Sequence, residues 1–388
     1  MYVIFLFFIQ MKMTSSNIYL LLLYIIITRQ ATTVFMFDIF SSSSKLLKTF
    51  TGHNDIVWSI DYSTFNNDRF ICTGSDDKTV RVWDTETTKQ VQSFNGHSNY
   101  VFCVKFSSYH YHNYQQNVIC SSSWDKTIHF WDFKHNKQLQ IFNGHTGGVC
   151  GIEFSPFNGG RYLCSGSGDN TIWLWDVETS KSLHVFNGHE RTVWCVDISP
   201  LQTNNNKSDN KSNIGVIGGN GYTICSGSDD NTIRIWDIET IKQLNIFKGH
   251  ENAVRSVKYG SNELLNTILS GSFDKSVRLW DIRSGEQTQV FNGHTHYVNA
   301  VEYSPFIIDN DNNSNVICSG STDNTIRFWD VRSNKKELYI IKGDDKKDIG
   351  ITCFKFLQLK KNEKSKSSDD IGVNLCYGSH IGLIRIWG

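Results

Sequence analysis

The chain has 388 residues, with 38 Lys and Arg against 38 Asp and Glu, so its formal net charge is zero and its isoelectric point lies near 7.2. A neutral chain lacks the basic footprint by which proteins hold nucleic-acid phosphates, and this excludes that class of partner. With 39 % hydrophobic and 13 % aromatic residues and only three prolines, the composition supports one large globular core.

Residues 1–44 form a hydrophobic leader. Two apolar runs, Tyr2 to Ile9 and Ile18 to Ile27, are separated by Gln10, Lys12 and a Thr-Ser-Ser-Asn stretch. Neither alone reaches the ~20 residues that span a bilayer. Extending the second run over residues 18–37 gives the length but places Arg29 and Gln30 near its middle, and a central Arg costs about 2.5–3.5 kcal/mol. The leader therefore reads three ways. It is a membrane anchor that tethers the protein through residues 18–37, or a signal-like segment whose cleavage pattern Arg29 spoils before Ala31. The third reading places it outside the functional protein, with translation starting nearer Met36. Sequons at Asn206, Asn210 and Asn312 would carry glycans only on the secretory route.

From Lys45 onward the chain repeats. Gly-His pairs end at His53, His97, His145, His189, His250 and His294, and each is followed by a Trp-Asp pair that begins at Trp83, Trp131, Trp175, Trp236, Trp280 or Trp329. A degraded seventh copy runs from Gly343-Asp344 to Trp387-Gly388. A period near forty residues with several short strands per unit is the mark of a radial array. In the first complete unit, Ile56 to Tyr62 alternates as a strand, Phe70 to Ser75 is a second apolar run, and Asp76-Asp77-Lys78 supplies a turn. Thr79 to Trp83 alternates again, and Lys89 to Phe94 makes a fourth strand. One such four-stranded sheet is too apolar on both faces to stand alone. Phe50, Phe94, Phe142, Phe186, Phe247 and Phe291 each fall three residues before a His and can bury about 150–250 Å² apiece between neighbouring sheets.

Every good unit also repeats a polar set: His53, Thr73 and Asp77 with Trp83 in the first, and His97, Ser121 and Asp125 with Trp131 in the second. The spacing predicts a hydrogen-bond chain from the indole N–H to the hydroxyl, onward to the imidazole and then to the carboxylate. Six copies of a Ser-His-Asp set describe scaffold, since an active site needs one. The seventh unit has Asp344, Tyr377 and Ile381 in these places and is expected to be the weakest blade. The ten cysteines recur at equivalent positions, such as Cys72 and Cys120 eleven residues before the Trp. They read as reduced core thiols, with a cross-strand pair such as Cys103 and Cys120 as the alternative in an oxidising compartment. Extra residues at Tyr109 to Asn117, Leu201 to Tyr222, Phe306 to Asn315 and Gln358 to Gly372 separate first from second strands on one rim. His110 and His112 in the first of these lack partners at metal-ligand spacing, so no metal and no cofactor is expected.

These residues resemble the WD-repeat family over Lys45 to Gly388, about nine tenths of the chain. The resemblance implies an all-β, seven-bladed β-propeller over 45–388, with four antiparallel strands per blade. Lys45 to Phe50 is then the fourth strand of the C-terminal blade and closes the ring. The resemblance also implies a non-catalytic protein–protein interaction scaffold in the cytoplasm or nucleus. Its partners would be peptide segments or domains of other proteins, with no small-molecule substrate and a membrane only if the leader is an anchor. In the family, the uncluttered face is lined by residues three and five after the His and by the residue before the turn Asp. Here those positions give Trp58, Asp76, Tyr100, Phe102, Trp124, Trp194, Asp229, Arg255, Phe273 and Tyr297 as partner-binding residues, rich in the types that dominate binding energy. The third blade has small residues there, Gly148, Cys150 and Gly168. A second reading comes from Trp-Asp-x-Arg at Arg283 and Arg332, which resembles substrate receptors of cullin-RING ubiquitin ligases.

Overall fold

In the computed structural model the two ends of the repeat region meet in one sheet. Leu46–Phe50 pairs antiparallel with Ile384–Trp387, which follows Ile351–Lys360 and Ile371–Ser379 in the same four-stranded sheet. The residues described are 35–63, 69–199, 222–260, 264–307, 316–333, 337–344, 346–360 and 371–388. Six further four-stranded antiparallel sheets complete a seven-bladed propeller. The first blade is Val57–Tyr62, Phe70–Ser75, Val80–Asp84 and Gln90–Phe94. First strands of consecutive blades are neighbours around the axis, and Val57–Tyr62 lies beside Ile351–Lys360 where the ring closes.

Packing between blades follows the apolar pattern. Phe50, Phe142, Phe186 and Phe247 are at most 2 % exposed, and each lies against the Trp of the next blade, as Phe50 does against Trp83 at 5.9 Å. All ten cysteines are free thiols. The register places Cys103 opposite Ser122 and Cys120 opposite Lys105, so the two side chains do not face each other across the ladder.

The polar chain forms as the spacing predicts. In the first blade the Trp83 indole N–H donates to Thr73 Oγ1 at 2.9 Å. His53 Nε2 lies 2.7 Å from that hydroxyl and its Nδ1 2.7 Å from Asp77 Oδ2. The same links recur in five more blades, for example Trp236 to Ser226 at 2.9 Å, Ser226 to His189 at 2.7 Å and His189 to Asp230 at 2.7 Å. Each of the six hydroxyl residues is fully buried. Buried and bonded on both sides, the six sets act as braces between strands and turns.

The seventh blade replaces the brace. Asp348, with no exposed surface, accepts the Tyr377 hydroxyl at 3.0 Å and the Asp344 amide at 2.6 Å. Its second oxygen lies 2.8 Å from Arg385 Nε.

Three local features differ from the sequence expectation. The first insertion contains a helix, Ser108–Tyr114, capped by Ser107, and His110 is buried in it, 2.8 Å from the Ser107 hydroxyl. In the last insertion the ladder runs on as far as the pair Lys360 and Ile371, which lengthens the hairpin. The end of the leader also packs on the ring. Phe35–Met36 pairs parallel with Phe306–Ile307, and in the helix Phe37–Ser43 the rings of Phe37 and Phe40 are buried against Phe306 and Phe328. No helix among the described residues is long and apolar enough to cross a membrane. Most of the 18–37 span, up to residue 34, lies outside the described residues, as does most of the Leu201 to Tyr222 insertion.

Candidate functional site on the propeller axis

Every blade carries the same irregularity in its first strand. The register shifts between Val57 and Ser59, Val101 and Cys103, Val149 and Gly151, and Val193 and Cys195. It shifts again between Val254 and Ser256, Val298 and Ala300, and Ile351 and Cys353. The skipped residue, five after the His position in each complete blade, has no ladder partner. A bulge of this kind re-aims its side chain, and here all seven point to the axis. Trp58, Phe102, Cys150, Trp194, Arg255, Asn299 and Thr352 together line one cavity of about 70 Å³.

The ten candidate residues form one connected patch. Phe102 is the hub, 5.7 Å from Trp58, 5.6 Å from Trp124, 5.8 Å from Trp194 and 6.5 Å from Tyr100. Trp124 and Trp194 stack at 6.3 Å and 11°, and Phe273 and Tyr297 stack at 4.0 Å and 20°. The Arg255 guanidinium lies 3.7 Å from the Trp194 ring centre, 5.1 Å from Phe273 and 5.6 Å from Trp58, which is cation–π geometry. Asp76 accepts the Trp58 indole N–H at 2.5 Å, and Asp229 accepts that of Trp194 at 2.5 Å. These two bonds hold both indoles toward the guanidinium. Tyr100, Trp124 and Tyr297 form the outer rim, 42 %, 38 % and 37 % exposed.

The small residues of the third blade have a role that the sequence did not disclose. A Cβ on Gly148 would come within 2.2 Å of the Trp124 ring, and one on Gly168 within 3.4 Å of it. The two glycines are the floor on which Trp124 lies across its neighbour blade. Asn299 and Thr352 bind inward instead: Asn299 Nδ2 donates to Thr322 Oγ1 and Ile351 O at 2.8 Å each, and Thr352 Oγ1 donates to Gly378 O at 3.1 Å.

Below the mouth the first strands carry a second ring, three positions further on. It reads Asp61, Lys105, Glu153, Asp197, Lys258, Glu302 and Lys355, and the three lysines with Glu153 and Glu302 line a cavity of about 170 Å³. Glu153 bridges Lys105 at 2.5 Å and Lys258 at 3.5 Å. Lys258 also reaches Asp197 at 3.9 Å, and Lys355 reaches Glu302 at 3.8 Å. Period-2 alternation alone did not single out this wheel of charge in the sequence.

Burial sets the titration of the braces. It pulls His53, His189, His250 and His294 below the ordinary imidazole value, against the raising effect of their carboxylate partners. Neutral imidazoles fit the chain, since Nδ1–H donates to Asp and Nε2 accepts the hydroxyl proton. Burial likewise brings His110 and His129 down to about 4. Below about pH 6.5 the unfolded chain protonates these six histidines before the folded one does, so their stabilisation is complete above that pH and is lost as pH falls. Burial also lowers His184 and His380, whereas it raises Asp76 to about 6 and raises Asp197, which acts in the opposite sense, two groups against eight. The urea midpoint is therefore expected to fall from pH 7 to pH 5 at unchanged slope. A midpoint that holds or rises would contradict neutral braces.

Among the described residues, one group brings metal-ligand atoms together: those of His97, Asp125 and His129 lie within 4.8 Å of one another. Both nitrogens of His97 are committed, to Asp125 at 2.7 Å and Ser121 at 2.8 Å, and His129 stacks on its ring at 4.1 Å. An ion would have to break the brace of its own blade, so the set does not fit one.

Arg283 and Arg332 follow the third strand, at the end opposite the aromatic patch. Arg332 Nε donates back to Asp330 at 3.2 Å. Arg283 lines a cavity of about 410 Å³ between the fourth and fifth blades.

The family model described as WD domain, G-beta repeat matches residues 44–84, 88–132, 136–176, 180–237, 241–281 and 285–330. Each match begins with the outer strand of one blade and ends with the third strand of the next, the same offset that closes the ring. No curated protein matches the chain. Propellers of this repeat generally bind other proteins and generally lack catalysis of their own. With six matched repeats over most of its length, the chain belongs to the WD domain, G-beta repeat family.

Proposed function

We propose that this propeller is a non-catalytic scaffold that holds peptide segments or domains of other proteins on the face built by the bulged residues and their aromatic rim. One observation carries the reading: ten side chains from five blades form a single connected patch of indoles, phenyl and phenol rings around one guanidinium. Trp, Tyr and Arg are the side chains whose truncation costs binding most, about 2 kcal/mol or more each at the centre of an interface. The indoles are held by carboxylates and the rim lies on a rigid ring, so little ordering remains to be done on binding.

The test compares affinity purification and mass spectrometry for the wild type and a Trp58→Ala, Trp124→Ala, Trp194→Ala triple variant of unchanged melting temperature. Specific partners are expected to vanish from the variant. An unchanged partner set would move the binding site to another surface.

A further inference from the structure

We infer that the axial cavity is an acidic-anchor subsite: Arg255 receives the carboxylate of one Asp or Glu side chain from a partner peptide. This rests on the face being the partner site. Arg255 is the one charged residue among the seven that line the cavity. Its guanidinium faces are covered by Trp194, Phe273 and Trp58, while its donors have no hydrogen bond or ion pair among the described residues. A guanidinium presents five N–H donors at its edges, and partly buried donors of this strength are normally satisfied. A carboxylate supplies the matching acceptor pair.

A basic anchor does not fit. The place between the two indoles where a guest cation would stack is already filled by Arg255, and a second cation would meet like charge there. The size also limits the guest. About 70 Å³ holds only a few heavy atoms, since about 10–15 Å³ of such space admits one water.

The carboxylate comes from a side chain and not from a chain terminus. Capture of a C-terminal carboxylate uses a nest of free backbone N–H groups. At this mouth the amide before each turn is already spent on a carbonyl of the first-strand entry: Asp76 on Ile56, Trp124 on Tyr100, Gly168 on Gly148 and Asp229 on Thr192. The other three, on Phe273, Thr322 and His380, donate to Ala253, Tyr297 and Gly350.

The surrounding charge sets the flanking sequence. Asp76 and Asp229 lie beside the indoles, and Asp55, Glu190 and Glu251 are exposed just after the His of three blades. A run of acids, or a nucleic-acid backbone, would be repelled. One carboxylate flanked by neutral or basic residues is the chemistry that fits.

The test is selection of a phage-displayed random nonapeptide library on the full chain, with the wild type, Arg255→Gln and the triple Trp variant as bait. The wild type is expected to enrich peptides with Asp or Glu fixed at one position and no second acid beside it. A synthetic peptide of the enriched sequence should bind at least about tenfold more tightly than its analogue with Gln in place of the acid. On Arg255→Gln the two should bind alike, which isolates the pair in a double-mutant cycle. The peptide-side change leaves folding of the protein untouched. Equal binding of acid and amide peptides to the wild type, or enrichment of Lys and Arg, overturns the inference while leaving the face as the binding site. Selected peptides that bind the triple Trp variant undiminished overturn the face and this inference together.

Discussion

An Asp348→Ala variant is expected to lose about 3–5 kcal/mol of stability, the usual cost of removing one partner of a buried charge pair. Asp348 is fully buried, accepts two hydrogen bonds on one oxygen, from the Tyr377 hydroxyl and the Asp344 amide, and its other oxygen forms an ion pair with Arg385 Nε at 2.8 Å. Arg385 stands two residues before its Trp, as Arg81, Arg234 and Arg278 do in their blades. Those three reach the turn Asp of their own blade at 3.4 Å. In the seventh blade Ile381 stands where that Asp would be, and the arginine, 7 % exposed, turns to Asp348. Without the carboxylate the buried phenol loses its acceptor, and the buried guanidinium keeps only the longer contact to Asp344 at 3.9 Å. The loss falls on the blade where the two ends of the ring are joined, and a cyclic array has no neighbouring repeat to compensate for an open seam. Tyr377→Phe removes one neutral donor and is expected to cost only about 0.5–1.5 kcal/mol. Urea unfolding of both variants measures the contrast. A loss below about 1 kcal/mol for Asp348→Ala would mean that the seam does not depend on this carboxylate.

That replacement marks where sequence reading reaches its limit. The blade count, the brace and the ten face positions were legible because each is a fixed offset from His or Trp, and a fixed offset in a repeat is a fixed place in space. Asp348 has no such offset. It comes from the turn after Gly343-Asp344 and takes over a role that other blades give to residues far along the chain. The bulges were hidden for a different reason: a bulge is a mismatch between two strands, and Val57-Trp58-Ser59 looks like ordinary alternation when read alone. The bulge is nevertheless what turns Trp58, Phe102, Trp194 and Arg255 toward one point. Gly148 and Gly168 carry no signal of their own in the sequence, because their role is set by Trp124 of the neighbouring blade, which lies on them. Phe37 and Phe40 belong to a segment whose apolar composition suggested a membrane, and a strap against Phe306 and Phe328 uses the same residue types.

The charged wheel on the axis leads to the second large effect. Glu153→Ala is expected to destabilise the propeller by about 3 kcal/mol or more. Glu153 is 19 % exposed and lies between Lys105 at 2.5 Å and Lys258 at 3.5 Å. Burial works to raise its pKa, yet the two lysines outweigh burial and hold it down to about 2. Glu153 raises Lys105 above the ordinary lysine value despite its burial, and Asp197, Glu302 and Glu153, in that order, do the same for Lys258. Removing the carboxylate leaves the Lys105 and Lys258 ammonium groups without the acid between them, with Asp61 acting on Lys105 and Asp197 and Glu302 on Lys258 as the remaining counter-charges. The sign of the pH effect separates this contribution from the braces. A carboxylate held below its unfolded value stabilises at all pH above that value, and the benefit disappears only as pH falls toward about 2. Between pH 7 and pH 5 the stability gap between wild type and Glu153→Ala should stay constant, while both proteins lose stability together as their histidines titrate. A gap that narrows across this range would place the charge on Glu153 under different control. A gap near zero at pH 7 would mean that channel water screens the wheel as it screens surface pairs, which are worth about 0–1 kcal/mol.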